Sequence, residues 1–140
     1  MRLHASREIA ASPSSIFAAF ADEARLARWW GPNGFTSTFQ SFALEPGRIW
    51  TFVMHGPDGR DYKNQISVLE VAPNSKIVLH HVSGPRYLLT VTLESTSDGG
   101  TTVGWNQEFE NPAVGRRLAP LLTSANEEVL TRLGTEVTGI

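Results

Sequence analysis

Apolar residues follow two different periods along this chain, and the changes of period mark its elements. Leu3 to Ala10 alternates loosely and predicts a first strand. Ile16, Phe17 and Phe20 then form one apolar edge of a short helix. Ser12 and Pro13 open it, since a serine oxygen accepts a free N–H and a proline at the first helical position sacrifices no needed donor. Asp22 caps a second helix, Glu23 to Trp30, in which Leu26, Trp29 and Trp30 recur at helical spacing until Gly31-Pro32-Asn33-Gly34 ends it.

From Phe35 to Phe109 the period is two. The predicted strands are Phe35–Leu44, Arg48–His55, Asp61–Val71, Lys76–Ser83, Arg86–Thr96 and Thr101–Phe109. Glu45-Pro46-Gly47, Gly56-Pro57-Asp58-Gly59, Ala72-Pro73-Asn74-Ser75, Gly84-Pro85 and Ser97-Asp98-Gly99-Gly100 separate them with turn chemistry. Strands joined by such short connections run antiparallel as a meander.

Asn111-Pro112 repeats the cap-plus-proline signal before a long helix. Val114, Leu118, Leu121, Leu122, Ala125, Val129 and Leu133 recur there at three- and four-residue steps. Pro120 interrupts the pattern and predicts either a kink or a restart near Leu121. The order of strand, two helices, six strands and long helix is α+β, with a seven-stranded curved antiparallel sheet whose apolar face the last helix covers. No linker or repeat divides the chain, so one domain over 1–140 is expected.

Strand alternation then sorts the side chains. Trp50, Phe52 and Met54 face the helix from one strand, with Tyr62, Asn64, Ile66 and Val68 from the next. Tyr87, Leu89, Val91 and Leu93 follow, and Val103, Trp105, Gln107 and Phe109 complete the face. Asn64, His81, Tyr87 and Gln107 add polar groups to otherwise large apolar positions. Apolar walls with a few polar groups describe a ligand pocket. They equally describe an ordinary core whose polar residues bond to backbone. On the pocket reading, Leu121, Leu122, Ala125 and Val129 lie opposite the sheet, and Trp30 sits at the mouth.

Net charge narrows the partners. A formal charge of −2 over 140 residues offers no basic patch for nucleic acid. The chain has no cysteine, which excludes disulfides, thiolate nucleophiles and zinc–thiolate sites. The polar start and the lack of a long apolar run predict a cytoplasmic protein without a membrane span.

Catalytic signals are sparse. His80 and His81 are adjacent on a strand and point to opposite faces, so they cannot share an ion. No metal or other cofactor is expected. No serine sits in a nucleophile elbow, and Gly56-Pro57-Asp58-Gly59 reads as a hairpin turn rather than a phosphate cradle. If an acid or base exists, His81 and Tyr87 are the candidates, because burial tunes a pKa.

Three segments carry a family resemblance: Ala11-Ser12-Pro13 with Ile16-Phe17, Arg28-Trp29-Trp30-Gly31-Pro32, and Glu45 to Gly59 with its Trp50-Thr51-Phe52-Val53-Met54 core. Together they resemble the heat-shock protein 90 ATPase activator homologue family. Its superfamily also holds START lipid-transfer domains, birch-pollen allergens and polyketide cyclases. Many relatives carry two glycines where this chain has Gly47-Arg48. The resemblance implies the helix-grip fold and a cavity between sheet and helix. It implies no single activity, because fold and function separate in such superfamilies. The co-chaperone activity behind the family name is not expected of a chain this short. Binding of a small hydrophobic or aromatic molecule is the leading expectation. A cyclase- or dehydratase-like enzyme and a stress-associated interaction module with a filled core are the rivals, and a homodimer is the assembly to test.

Overall fold

The computed structural model describes residues 1–139. Its elements run β1 (Arg2–Ile9), α1 (Pro13–Ala21), α2 (Glu23–Trp29), β2 (Thr36–Ser41), β3 (Ile49–His55), β4 (Asp61–Ala72), β5 (Lys76–His81), β6 (Tyr87–Ser95), β7 (Thr101–Phe109) and α3 (Pro112–Thr138). The strands form one antiparallel sheet in the order β1-β7-β6-β5-β4-β3-β2. Only β1 departs from the meander: it crosses to pair with β7, from Arg2 opposite Glu108 to Ile9 opposite Thr101.

The helix starts follow the predicted capping chemistry. Ser12 accepts from the Ser15 N–H at 3.2 Å, Asp22 from Arg25 at 3.1 Å and Asn111 from Ala113 at 3.0 Å. Four strands are shorter than their hydrophobic pattern, β3 only by Arg48. β2 slips register between Phe39 and Ser41 and stops there, and the Ala43 carbonyl accepts from the Trp50 indole N–H at 3.0 Å instead. β5 ends at His81, with the Val82 N–H donating to the Gln65 carbonyl. β6 begins at Tyr87. A second slip between Val68 and Glu70 leaves Leu69 half-exposed and returns Val71 to the inner face.

The long helix is not restarted at Pro120: it is continuous from Pro112 to Thr138. Pro120 and Arg116 are both exposed, so water can reach the carbonyl that proline leaves without a helical donor. The buried line of α3 also differs from the apolar pattern. It passes through Gly115, Asn126, Leu130 and Leu133, with Val129 beside it and half-buried Ala119, Leu122 and Val137 in the gaps. Leu121 falls a third of a turn off that line and is 68% exposed, so it does not face the sheet.

Two ion-pair sets fasten α3. Arg7 of β1 reaches Glu127 at 2.9 Å and the Thr131 hydroxyl at 2.8 Å, while Arg25 and Arg28 of α2 both hold Glu136. Among the described residues, no helix is long and apolar enough to cross a membrane.

Candidate functional site

Where α3 crosses the sheet, the interior is not filled. A chamber of about 160 Å³ lies between β3–β7, the middle of α3 and the loop after α2. Trp30, Met54, Asn64, His81, Tyr87, Trp105, Gln107, Leu122, Ala125 and Val129 surround it, joined by Gly31, Pro32 and Asn126. It adjoins a vestibule of about 560 Å³, which shares Met54, Asn64, His81 and Tyr87 and adds Phe35, Asp61, Tyr62, Lys63 and Pro85. Tyr62 stands half-exposed at this outer end, 6.0 Å from the Phe35 ring between centroids.

Trp50 and Phe52 face inward as their strand parity requires, but they do not line the chamber. Phe52 stacks on Phe39 at 4.8 Å, and Trp50 packs on Phe42 at 5.0 Å while donating to Ala43. Both rings turn toward β2, which leaves them one layer behind Trp30, itself 5.8 Å from Trp50. Trp30 is only 6% exposed and walls the inner chamber rather than its mouth. Trp29 is core: its indole donates to the Ala19 carbonyl at 3.1 Å.

The chamber has one polar side. Asn126 on α3 donates to Gln107 Oε1 at 2.8 Å. The Gln107 side chain also acts on the neighbouring Tyr87 phenol, favouring its ionised form. Burial nevertheless pushes the Tyr87 pKa up to about 12, so the hydroxyl keeps its proton and remains a donor. His81 sits on the same wall. Its Nδ1 donates to the Pro85 carbonyl at 2.7 Å, which fixes the tautomer, and its Nε2 lies 2.7 Å from Asn64 Oδ1. Burial holds its pKa below the ordinary histidine value, against the Pro85 and Ser83 backbone contacts that favour the cation. In the neutral ring only Nδ1 carries a proton, so Nε2 faces Asn64 Oδ1 without a hydrogen bond and gains one only when the ring is protonated. Two residues before Gln107 on β7, the Trp105 indole N–H is buried without an acceptor.

Asn126, Gly31 and Pro32 are the lining residues that hydrophobic periodicity passes over. A polar side chain on the buried line of a helix does not register in an apolar count. Gly31 has a readable physical reason: its φ is +105°, and a Cβ there would lie 2.6 Å from Met54 Cε. Arg132 fixes this loop in place. Its guanidinium donates to the Gly31, Pro32 and Phe35 carbonyls at 2.8 Å each and also to the Arg28 carbonyl. The Asn33 N–H donates to Glu128 at 2.9 Å, adding a second tie from α3.

Among the described residues, no group of three or more His, Cys, Asp or Glu side chains could hold a metal ion. What the chamber offers is shape, an apolar wall and a protonated hydroxyl.

Comparison with known proteins places this geometry. The family model described as Activator of Hsp90 ATPase homolog 1-like protein matches residues 10–136. A crystal structure of a Nitrosomonas europaea protein superposes with a TM-score of 0.89 at 18% identity, covering 99% of this chain and 95% of that one. A solution structure from Arthrobacter aurescens gives 0.89 at 19%, covering 99% and 87%. The AHSA1 protein of Silicibacter pomeroyi gives 0.75 at 23%, covering 97% and 96%. These likenesses show a shared helix-grip fold. No curated protein matches the sequence.

Proposed function

We infer that this chain, which belongs to the Activator of Hsp90 ATPase homolog 1-like family, binds a small, largely apolar molecule between its sheet and α3. The observation that carries this reading is the open chamber of about 160 Å³ with its wider vestibule, placed where the fold buries its largest side chains. Interiors normally pack to crystal-like density, so a void of this size inside an aromatic core calls for an occupant. A filled-core interaction module has no use for it. Trp30, Met54, Trp105, Leu122, Ala125 and Val129 supply the apolar contacts, while Asn64, His81, Tyr87 and Gln107 orient the ligand. Carriage, sensing and sequestration all begin with this binding step.

Saturation-transfer NMR against a set of neutral aromatic compounds tests the reading. Hits should appear with the natural chain and vanish in Ala125→Leu, which adds three carbons to the chamber wall. The absence of any hit, or hits that survive in Ala125→Leu, would place binding elsewhere and end the proposal.

A further inference from the structure

Resting on that reading, we propose that the inner chamber selects a single aromatic ring carrying an uncharged hydrogen-bond acceptor, as in an aryl ketone. It excludes aryl carboxylates and fused bicyclic rings, and the rest of a longer ligand lies in the vestibule.

Size sets the first limit. The chamber, about 160 Å³, is close to the ~150 Å³ apolar cavity known to hold one benzene. Trp30 and Trp105, 5.8 Å apart between ring centroids, give it an aromatic wall. With one ring already matching its volume, a second fused ring would have to extend past Tyr87 into the vestibule.

Charge sets the second limit. Asp61 and Lys63 stand in the vestibule, and no acidic or basic side chain other than His81 lines the inner chamber. A carboxylate would shed its hydration there and meet no cation. His81 does not fill that role, since its Nδ1 proton is bound to the Pro85 carbonyl, its Nε2 faces Asn64 and burial favours the neutral ring.

Unused donors set the third. Asn126 already occupies the Gln107 oxygen, and burial keeps the proton on the Tyr87 phenol that lines the chamber. The indole N–H of Trp105 is a second donor buried without an acceptor. A ligand carrying an acceptor therefore relieves an unmet need, which an isosteric hydrocarbon does not.

Three near-isosteres test this: acetophenone, α-methylstyrene and benzoate, with 2-acetylnaphthalene as the two-ring probe, each titrated by NMR. Acetophenone should bind about tenfold more tightly than α-methylstyrene, the gain from one buried hydrogen bond. It should exceed benzoate and 2-acetylnaphthalene by at least as much. Tyr87→Phe should abolish the preference for acetophenone over α-methylstyrene, with the variant's amide NMR spectrum as the control for its folding. Equal binding of acetophenone and α-methylstyrene overturns the acceptor rule. Benzoate or 2-acetylnaphthalene matching acetophenone overturns the charge or size rule. In each of these cases a ligand still enters, so the binding function stands. If none of the four binds, the inference and the function beneath it fall together.

Discussion

His81 and Tyr87 are cross-strand partners on β5 and β6, and their rings stack with centroids 4.7 Å apart and planes 6° from parallel. The turn between them folds back so that the Pro85 carbonyl accepts from His81 Nδ1. One face of the imidazole is thus covered by a phenol and one nitrogen is locked. The polar wall of the chamber is therefore rigid, which suits orienting a ligand better than shuttling protons.

Acid should loosen this wall. The folded pKa of His81 lies below the ordinary histidine value of 6.5, chiefly through burial. The unfolded chain then binds the proton first, so stability is complete above about 6.5 and falls as pH drops toward the folded pKa. Urea unfolding at stepped pH should show this loss, and His81→Phe should flatten it. On protonation, Nε2 gains a hydrogen bond to Asn64. Asn64→Leu should consequently depress the His81 pKa further, read from its ring-proton titration. A His81 pKa above 6.5 would contradict the account.

Arg132 should matter beyond its charge. Its guanidinium serves carbonyls at Arg28, Gly31, Pro32 and Phe35. Arg132→Ala is expected to cost roughly 2–3 kcal/mol, since hydrogen bonds from a charged group are worth more than neutral ones. Arg132→Lys should recover little of it, because a compact ammonium cannot span carbonyls spread along the loop. Thermal unfolding of the two variants checks both statements.

Pro120→Ala should stabilise α3. The helix already runs through this position, so alanine restores a backbone donor to the Arg116 carbonyl without any change of path. A gain of about 1–2 kcal/mol is expected after allowing for the greater freedom of the unfolded chain. In the natural chain, amides from 113 to 119 should exchange faster than those from 125 to 133. Gly115 alone is buried in the first stretch, whereas Asn126, Val129, Leu130 and Leu133 anchor the second. Equal protection of the two stretches would show that the proline weakens nothing.

The sequence made the fold legible because its strands alternate cleanly and its helix caps are explicit. Strand parity also put Met54, Asn64, His81, Tyr87, Trp105 and Gln107 on the face that surrounds the chamber. Parity could not tell which inward rings border a void: Trp50 and Phe52 share the parity of Met54 but turn toward Phe39 and Phe42. The phase of α3 was blurred for a different reason. Leu121 fits a three-and-four count as well as Leu122 does, and Asn126 is invisible to it, until contacts with the sheet set the rotation.

The most direct test is native mass spectrometry of the gently purified chain beside Ala125→Leu and Tyr87→Phe. The account predicts a small-molecule adduct on the natural chain, its loss in Ala125→Leu, and weaker retention in Tyr87→Phe. A natural chain that stays at its bare mass, both as purified and after incubation with acetophenone, would contradict it.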